Sequence, residues 1–502
     1  MKTLFWAVIW LLPFTLTAQS LTSGQARADL RYLNRKLTRI HPGLGYYVPV
    51  PTYQKTLDSL LTLPMEAVTY QELYRQGTAL LTTIKDGHTD IFHRKHYFSS
   101  KSRFFPFLIR QVGDSYFVAY NLSEDTTLVR GTELLTIDER PVAEIHRILQ
   151  QYERGGSDGD NLTGRQARSL MSFGSYYAGW FGPSDSLTIA YRLPGDTTRR
   201  STRLAGQTNA AMNRLMGRRY GKELGRGDRN LTVRLVDSVK HTAILRVQTF
   251  SHFKGDLLGL RYKKKLKKAF QTLKEKNVQN LIVDVRGNGG GALMNAARLL
   301  SYWMPEPYNV TQASRMKRGA RQAYVKAWNP FSLLFFHWAY KRDTTGGYDF
   351  AGRPGQRKFR PQTALAFRGN IYFLMNGASY SASSTVLAKS LDAGVGTFVG
   401  EACGGAYWGS FAGQFQQITL PHSRLRVRIP LKQLRYDVDP TRANGFTIEP
   451  DFPARRTLDD LLNARDYGLI ETIRLIQQNK VAERNPKRSS LASSGINPPK
   501  NQ

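Results

Sequence analysis

Cysteine is almost missing from this chain: Cys403 stands alone among 502 residues. No intramolecular disulfide can form, so an apolar core must hold the fold. A metal site is not supported either, because His88, His93 and His96 have no cysteine or second cluster to complete a ligand set. Acidic residues are scarce, with 38 Asp and Glu against 72 Lys and Arg, a net charge of +34. A charge of that size points to an acidic partner: nucleic acid, anionic lipid or an acidic envelope polymer. The basic residues are scattered, and the one dense cluster, Lys263-Lys264-Lys265-Leu266-Lys267-Lys268, has the spacing of a solvated helix face. No zinc-finger or RNA-recognition signature accompanies the charge, so nucleic acid is not an expected partner. Peripheral contact with an anionic envelope surface is the partner the charge suggests. Beyond the N-terminus there is no long apolar run. A hydrophobic content of 41% over this length gives a globular protein of two or three domains.

The N-terminus carries Lys2, an apolar run from Leu4 to Leu16 and a Leu-Thr-Ala segment ending at Ala18. The run is too short to span a bilayer comfortably, and no cysteine follows closely to take a lipid anchor. Residues 1–18 are therefore expected to be a cleaved signal peptide. Export without disulfides fits the periplasm or extracellular face of a bacterial envelope.

Residues 19–99 read as a small helical domain. Leu30, Leu33, Leu37 and Ile40 recur at helical spacing, His41-Pro42-Gly43 stops that helix, and Thr69 with Glu72 forms a capping box for a later one. This last helix delivers the turn Lys85-Asp86-Gly87-His88-Thr89-Asp90. Residues 100–200 alternate short strands and turns, and Gly131, a strand, a polar turn and a helix from Ala143 resemble a PDZ-like module. Residues 156–166 read as a polar loop, and residues 201–240 as a basic linker or insertion. From residue 241 to 478 the pattern becomes α/β, interrupted over 305–368 by an insertion with aromatics at Trp328, Phe331, Phe335, Phe336 and Trp338. Residues 479–502 are expected to be a disordered tail.

Two turns in the α/β region carry chemistry. Asp284-Val-Arg-Gly-Asn-Gly-Gly-Gly links a buried strand to a helix, and its glycines let backbone N–H groups approach a ligand. It has neither the Walker lysine nor the G-x-G-x-x-G spacing, which leaves phosphate binding without its usual partners and an oxyanion hole as the other reading. The second turn, Asn376-Gly-Ala-Ser-Tyr-Ser-Ala-Ser, follows the apolar strand Ile371 to Met375 and opens a helix. Its serines Ser379, Ser381 and Ser383 stand where a helix needs N-caps and where a serine nucleophile would be exposed.

These two turns, in this order, resemble the C-terminal-processing (tail-specific) serine peptidase family. Gly400-Glu401-Ala-Cys-Gly-Gly, Leu420 to Leu431 and Ile448-Glu-Pro-Asp451 fit further motifs of that family. The resemblance covers residues 242–475 and reaches more loosely to His41-Pro42 and Asp86-Gly-His-Thr89. It implies an α/β catalytic domain with a ClpP/crotonase-like β-α-β core, preceded by the helical domain and the β-rich module. It implies Ser381 as nucleophile, with the N–H groups of Ala382 and Gly289 as oxyanion hole, no cofactor, and a protein or peptide substrate. The lysine that tail-specific members place after the Gly400-Glu401 turn is missing: Gly405, Ala406 and Tyr407 stand there. Lys389 lies eight residues beyond Ser381 on the same helix, two turns away. The tricorn-like branch takes a histidine from the N-terminal helical region instead, and His88 matches that position. Gly87 stands where that branch has a serine linking the histidine to an acid. Asp86, Asp437 and Asp439 are the candidates for orienting His88. A non-catalytic relative that binds a peptide or an apolar ligand is the alternative reading.

Overall fold

The computed structural model describes residues 20–481, apart from 65, 96, 153–156, 225–230, 257, 329–330, 351–357 and 443–445. Residues 1–18, expected to be a signal peptide, His96 and all but the first residues of the expected tail lie outside the described residues. No helix among the described residues is long and apolar enough to cross a membrane.

A six-stranded sheet organises the C-terminal half. Its order is Leu231–Leu235, Thr242–Val247, Asn280–Asp284, Asn370–Met375, Thr397–Gly400 and Phe452–Pro453. The first strand is antiparallel to its neighbour and the other pairings are parallel. Successive strand residues face opposite sides, so a sheet covered on both faces needs unbroken apolar strands. Leu245, Val283, Phe373 and Met375 pack with the helices Leu260–Glu275, Leu293–Leu300 and Ala382–Asp392. Ile244, Ile282, Tyr372, Leu374 and Val399 point the other way, onto Leu475 and Ile476 of the helix Tyr467–Gln477. The lysine-rich helix Leu260–Glu275 buries Tyr262, Leu266, Phe270 and Leu273 and turns Lys263, Lys264, Lys267 and Lys268 to solvent.

The N-terminal helices Ser23–Ile40, Val50–Thr62 and Tyr70–Thr82 form a second core. The Thr69–Glu72 capping box is present. This core is shared with a second sheet, in which the long strands Gly409–Thr419 and Arg426–Tyr436 pair. The short strand Asp90–Phe92 joins that sheet with Asp90 opposite Arg428. Part of the 305–368 insertion joins the same core, with Phe336 buried in it while Trp338 stays exposed. The third core belongs to the strands Phe107–Val112, Ser115–Asn121, Glu133–Ile137, Ser186–Arg192 and Arg200–Ala205, with helix Val142–Gln151 across them.

Two stretches differ from the sequence expectation. Residues 201–240, read as a basic linker or insertion, are not a bare linker: they hold the strand Arg200–Ala205, the helix Asn209–Leu224 and the strand Leu231–Leu235. Their arginines mask an ordinary alternation whose apolar members, Leu204 and Leu231, are buried. The polar stretch 156–166 leads into the helices Leu162–Met171 and Phe173–Phe181. Asn161 caps the first of these by accepting from Gly164 N at 2.8 Å.

Candidate active site

The turn after strand Asn370–Met375 is fixed by its own side chains. Asn376 Oδ1 accepts from Gly287 N at 3.0 Å and Ala378 N at 3.2 Å. Ser379 Oγ donates to Val285 O at 2.8 Å, and Ser383 Oγ donates to Asn288 O at 2.8 Å. Asn288 ties the two turns together: Tyr380 N donates to its carbonyl at 3.0 Å, and its Oδ1 accepts from Gly290 N at 2.9 Å. Ser379 and Ser383 are thus spent on backbone, which leaves Ser381.

Ser381 occupies the N-cap position of helix Ala382–Asp392, but its side chain makes no capping bond. Its backbone sits at φ 59° and ψ −118°, a conformation L-residues rarely adopt. The strain lifts Oγ out of the turn into a cleft of about 710 Å³. Ala382 and Gly289 line the same cleft. Ala382 is the first helical residue, so its N–H has no intrahelical acceptor. A Cβ on Gly290 would come within 2.7 Å of Ser381 Cβ, so only glycine lets the two turns approach this closely.

His88 arrives from the other end of the chain. Helix Tyr70–Thr82 ends before it, and strand Asp90–Phe92 pins the following residues to strand Arg426–Tyr436. Arg428 Nε donates to His88 O at 3.2 Å. The result is a distance of 3.1 Å between His88 Nε2 and Ser381 Oγ. His88 Nδ1 lies 2.8 Å from the Tyr380 hydroxyl, which donates to Asp158 Oδ1 at 2.8 Å. With the ring proton on Nδ1, the chain runs from serine through imidazole and phenol to carboxylate, each donor meeting an acceptor.

The electrostatics follow from burial. Burial drives His88 down to about 4, with Arg428 and Arg168 adding to the effect and Asp86 opposing it. The imidazole is therefore neutral and able to accept a proton at neutral pH. Burial, reinforced by Asp86, raises Asp158 to about 7. Burial puts the Tyr380 phenol well above its ordinary range, so it stays protonated. Asp86 is buried too, yet bonds and charge from His41, with help from His88 and Thr89, hold its carboxyl low.

The sequence candidates for orienting His88 separate here. Asp86 Oδ1 accepts from the His88 backbone N at 3.0 Å and lies 3.9 Å from Nδ1, while its Oδ2 is taken by His41 at 3.2 Å and by Thr89. Asp86 therefore shapes the turn. Asp437 lies 3.7 Å from Lys389, whose ammonium donates to the Asp437 carbonyl, and Asp439 accepts from Thr441. Neither reaches the histidine. The sequence gives no sign of Tyr380 and Asp158, because one is simply the neighbour of Ser381 and the other lies in a polar loop, with no spacing signal joining them. Gly87 carries a trace of the arrangement: a Cβ there would collide with the Tyr380 hydroxyl and the Ser157 backbone. His93 stacks between Tyr74 and Tyr97, away from the serine.

Ligand atoms of Asp86, His88 and Asp158 lie within 4.8 Å of one another. Both Asp86 oxygens, His88 Nδ1 and Asp158 Oδ1 are already engaged, and among the described residues Asp158 Oδ2 is the one buried atom of this group without a hydrogen-bond partner. The donor set fits a hydrogen-bonded relay better than a cation site.

No curated protein matches the sequence. The fold is similar to that of mature CPAF, at 16% identity and a TM-score of 0.63 over 91% of this chain and 97% of that one. Mature CPAF complexed with lactacystin gives 16% identity and a TM-score of 0.64 over 91% and 98%. A putative S41 protease from Bacteroides fragilis gives 12% identity and a TM-score of 0.43 over 89% and 97%. Residues 241–453, which hold both turns and the helix Ala382–Asp392, match the profile of peptidase family S41. Over that segment, rather less than half of the chain, the protein is similar to peptidase family S41.

Proposed function

We propose that the protein is an exported peptidase that cleaves peptide bonds through an acyl-enzyme on Ser381, with His88 as its base. Ser381 Oγ attacks the scissile carbonyl carbon while its proton passes to His88 Nε2. The carbonyl π electrons move to oxygen, and the N–H groups of Gly289 and Ala382 hold the oxyanion. Collapse of the tetrahedral intermediate breaks the C–N bond, and His88 returns its proton to the leaving amine. Water then repeats the cycle on the ester. Tyr380 accepts from Nδ1–H and passes the interaction to Asp158, which holds the tautomer and supports the imidazolium.

The observation that carries this reading is the 3.1 Å approach of His88 Nε2 to Ser381 Oγ, between residues 293 positions apart. Chance rarely brings a nucleophile at a strained elbow and a neutral buried base into hydrogen-bond geometry. Export is supported by the apolar run Leu4 to Leu16 and the Leu-Thr-Ala segment that ends at Ala18. A fluorophosphonate probe should label the wild type and leave Ser381→Ala unlabelled. His88→Ala should lose at least about a thousandfold in labelling rate. Labelling that survives Ser381→Ala overturns the assignment. Secreted material should begin at Gln19; a mature protein that retains Met1 would refute cleavage.

A further inference from the structure

Among the described residues, the catalytic cleft is lined by Arg168, Arg428 and Lys432, and by one acid, Asp90. Asp90 lies opposite Arg428 in the sheet, with 4.0 Å between its carboxylate and the guanidinium. Strand Arg426–Tyr436 crosses the cleft. Arg428 at one end reaches the His88 carbonyl at 3.2 Å, and Tyr436 at the other donates to the Ser381 carbonyl at 3.5 Å. Alternate residues of a strand share a face, so Lys432 lies midway between these two anchors on the side that looks at the catalytic pair.

The surroundings of Lys432 are apolar. Its Nζ lies 5.4, 5.0 and 5.6 Å from the ring centres of Tyr324, Tyr340 and Phe350. The three aromatics come from the 305–368 insertion. Burial lowers the ammonium to about 7, and no carboxylate acts to raise it again. Arg168 is also uncompensated: its Nε is buried with no hydrogen-bond partner, and its Nη2 would come within 2.6 Å of a Cβ on Gly289. Among the described residues, neither cation in the cleft wall has the anion such a group normally demands when desolvated.

We propose that Lys432 is the specificity residue of the cleft and binds a carboxylate of the substrate, with Arg168 adding positive charge beside the nucleophile. The substrate class is an acidic peptide, its carboxylate supplied by an Asp or Glu side chain or by a free C-terminus. Both sources present the same planar anion, and binding one there would restore the full charge of Lys432. The rings of Tyr324, Tyr340 and Phe350 would exclude water and strengthen the pair. The assignment rests on the peptidase reading for its name as a specificity residue, but the binding itself can be measured without catalysis.

The test uses the full mature chain carrying Ser381→Ala, which binds without turnover. Fluorescein-labelled peptide pools are prepared in four forms: Glu or Gln at a scanned position, each with a free or amidated C-terminus. Fluorescence anisotropy gives Kd for each pool. A charge-assisted hydrogen bond corresponds to roughly a ten- to hundredfold preference. Tighter binding of Glu pools assigns the side chain as the source, and tighter binding of free-acid pools assigns the terminus. Adding Lys432→Met should erase the preference. Adding Lys432→Glu should transfer it to pools carrying Lys in place of Gln, a gain that a misfolded protein could not show. Equal Kd across the four pools, or a preference untouched by Lys432→Met, overturns the proposal. Failure of fluorophosphonate labelling would refute the nucleophile assignment and leave this result standing.

Discussion

Replacing Tyr380 by Phe removes one oxygen and keeps the ring that lies 4.7 Å from the His88 ring and beneath the Arg168 guanidinium. Two hydrogen bonds vanish, from His88 Nδ1 at 2.8 Å and to Asp158 Oδ1 at 2.8 Å. In the resting enzyme the Nδ1–H bond joins neutral groups and contributes about 0.5–1.5 kcal/mol. Once His88 holds the serine proton, the same bond has a charged donor and contributes about 1.5–3 kcal/mol. Only the difference, about 1–2 kcal/mol, acts on the rate. Tyr380→Phe should therefore react with a fluorophosphonate about 5- to 30-fold more slowly than wild type. Its second-order inactivation constant is the measurement, with thermal unfolding run in parallel to confirm a folded protein. Asp158→Asn should slow the reaction too, and the double variant should lose much less than the sum of the two, because both act through one chain. A Tyr380→Phe variant within twofold of wild type would refute the relay. A loss as large as that of His88→Ala would refute the arithmetic, since it would make the phenol as essential as the base.

Three further outcomes follow from the same geometry. Asp158 is protonated below about 7 and then lends no negative charge to the imidazolium, while His88 does not protonate until about 4. Inactivation rate should accordingly rise with pH through about 7, and Asp158→Asn should remove that limb; a limb that persists in the variant would assign it elsewhere. Gly87→Ser should push the Tyr380 hydroxyl off the histidine, and a displacement of about 1 Å should cost roughly a hundredfold in rate, read by the same probe. Cys403 is fully buried, with its thiol raised to about 11 by that burial, so iodoacetamide should leave the native protein unmodified and active and alkylate only after unfolding. Alkylation of the native chain at the rate of a free thiol would contradict that burial.

Much of the scaffold can be read in the sequence because its signals are local. The apolar runs at Leu281 to Val285 and Ile371 to Met375 are strands buried on both faces, and such strands need no partner to be recognised. The Thr69–Glu72 box fixes a helix start by contacts three residues apart. The closing helix is less legible: one amphipathic pattern runs from Leu458 to Gln477, but the chain forms Leu458–Leu462 and Tyr467–Gln477 with a break between them. Asp466 caps the second segment by accepting from Leu469 N at 3.1 Å and also holds Arg286 at 2.6 Å. The break therefore serves a contact made 180 residues away.

By itself the sequence determined which turn exposes a serine and which glycine-rich turn lies beside it, since both depend on residues within one short segment. Through a resemblance and a missing lysine it also pointed to a histidine of the N-terminal region as the candidate base. The resemblance singled out Ser381, and only the tertiary structure gave the physical reason: Ser379 and Ser383 are claimed by carbonyls of another turn. It alone joined Tyr380 and Asp158, residues 222 positions apart, behind His88. Hydrogen bonds and desolvation act over a few ångströms in space, and sequence separation carries no record of which polar groups a folded core will press together.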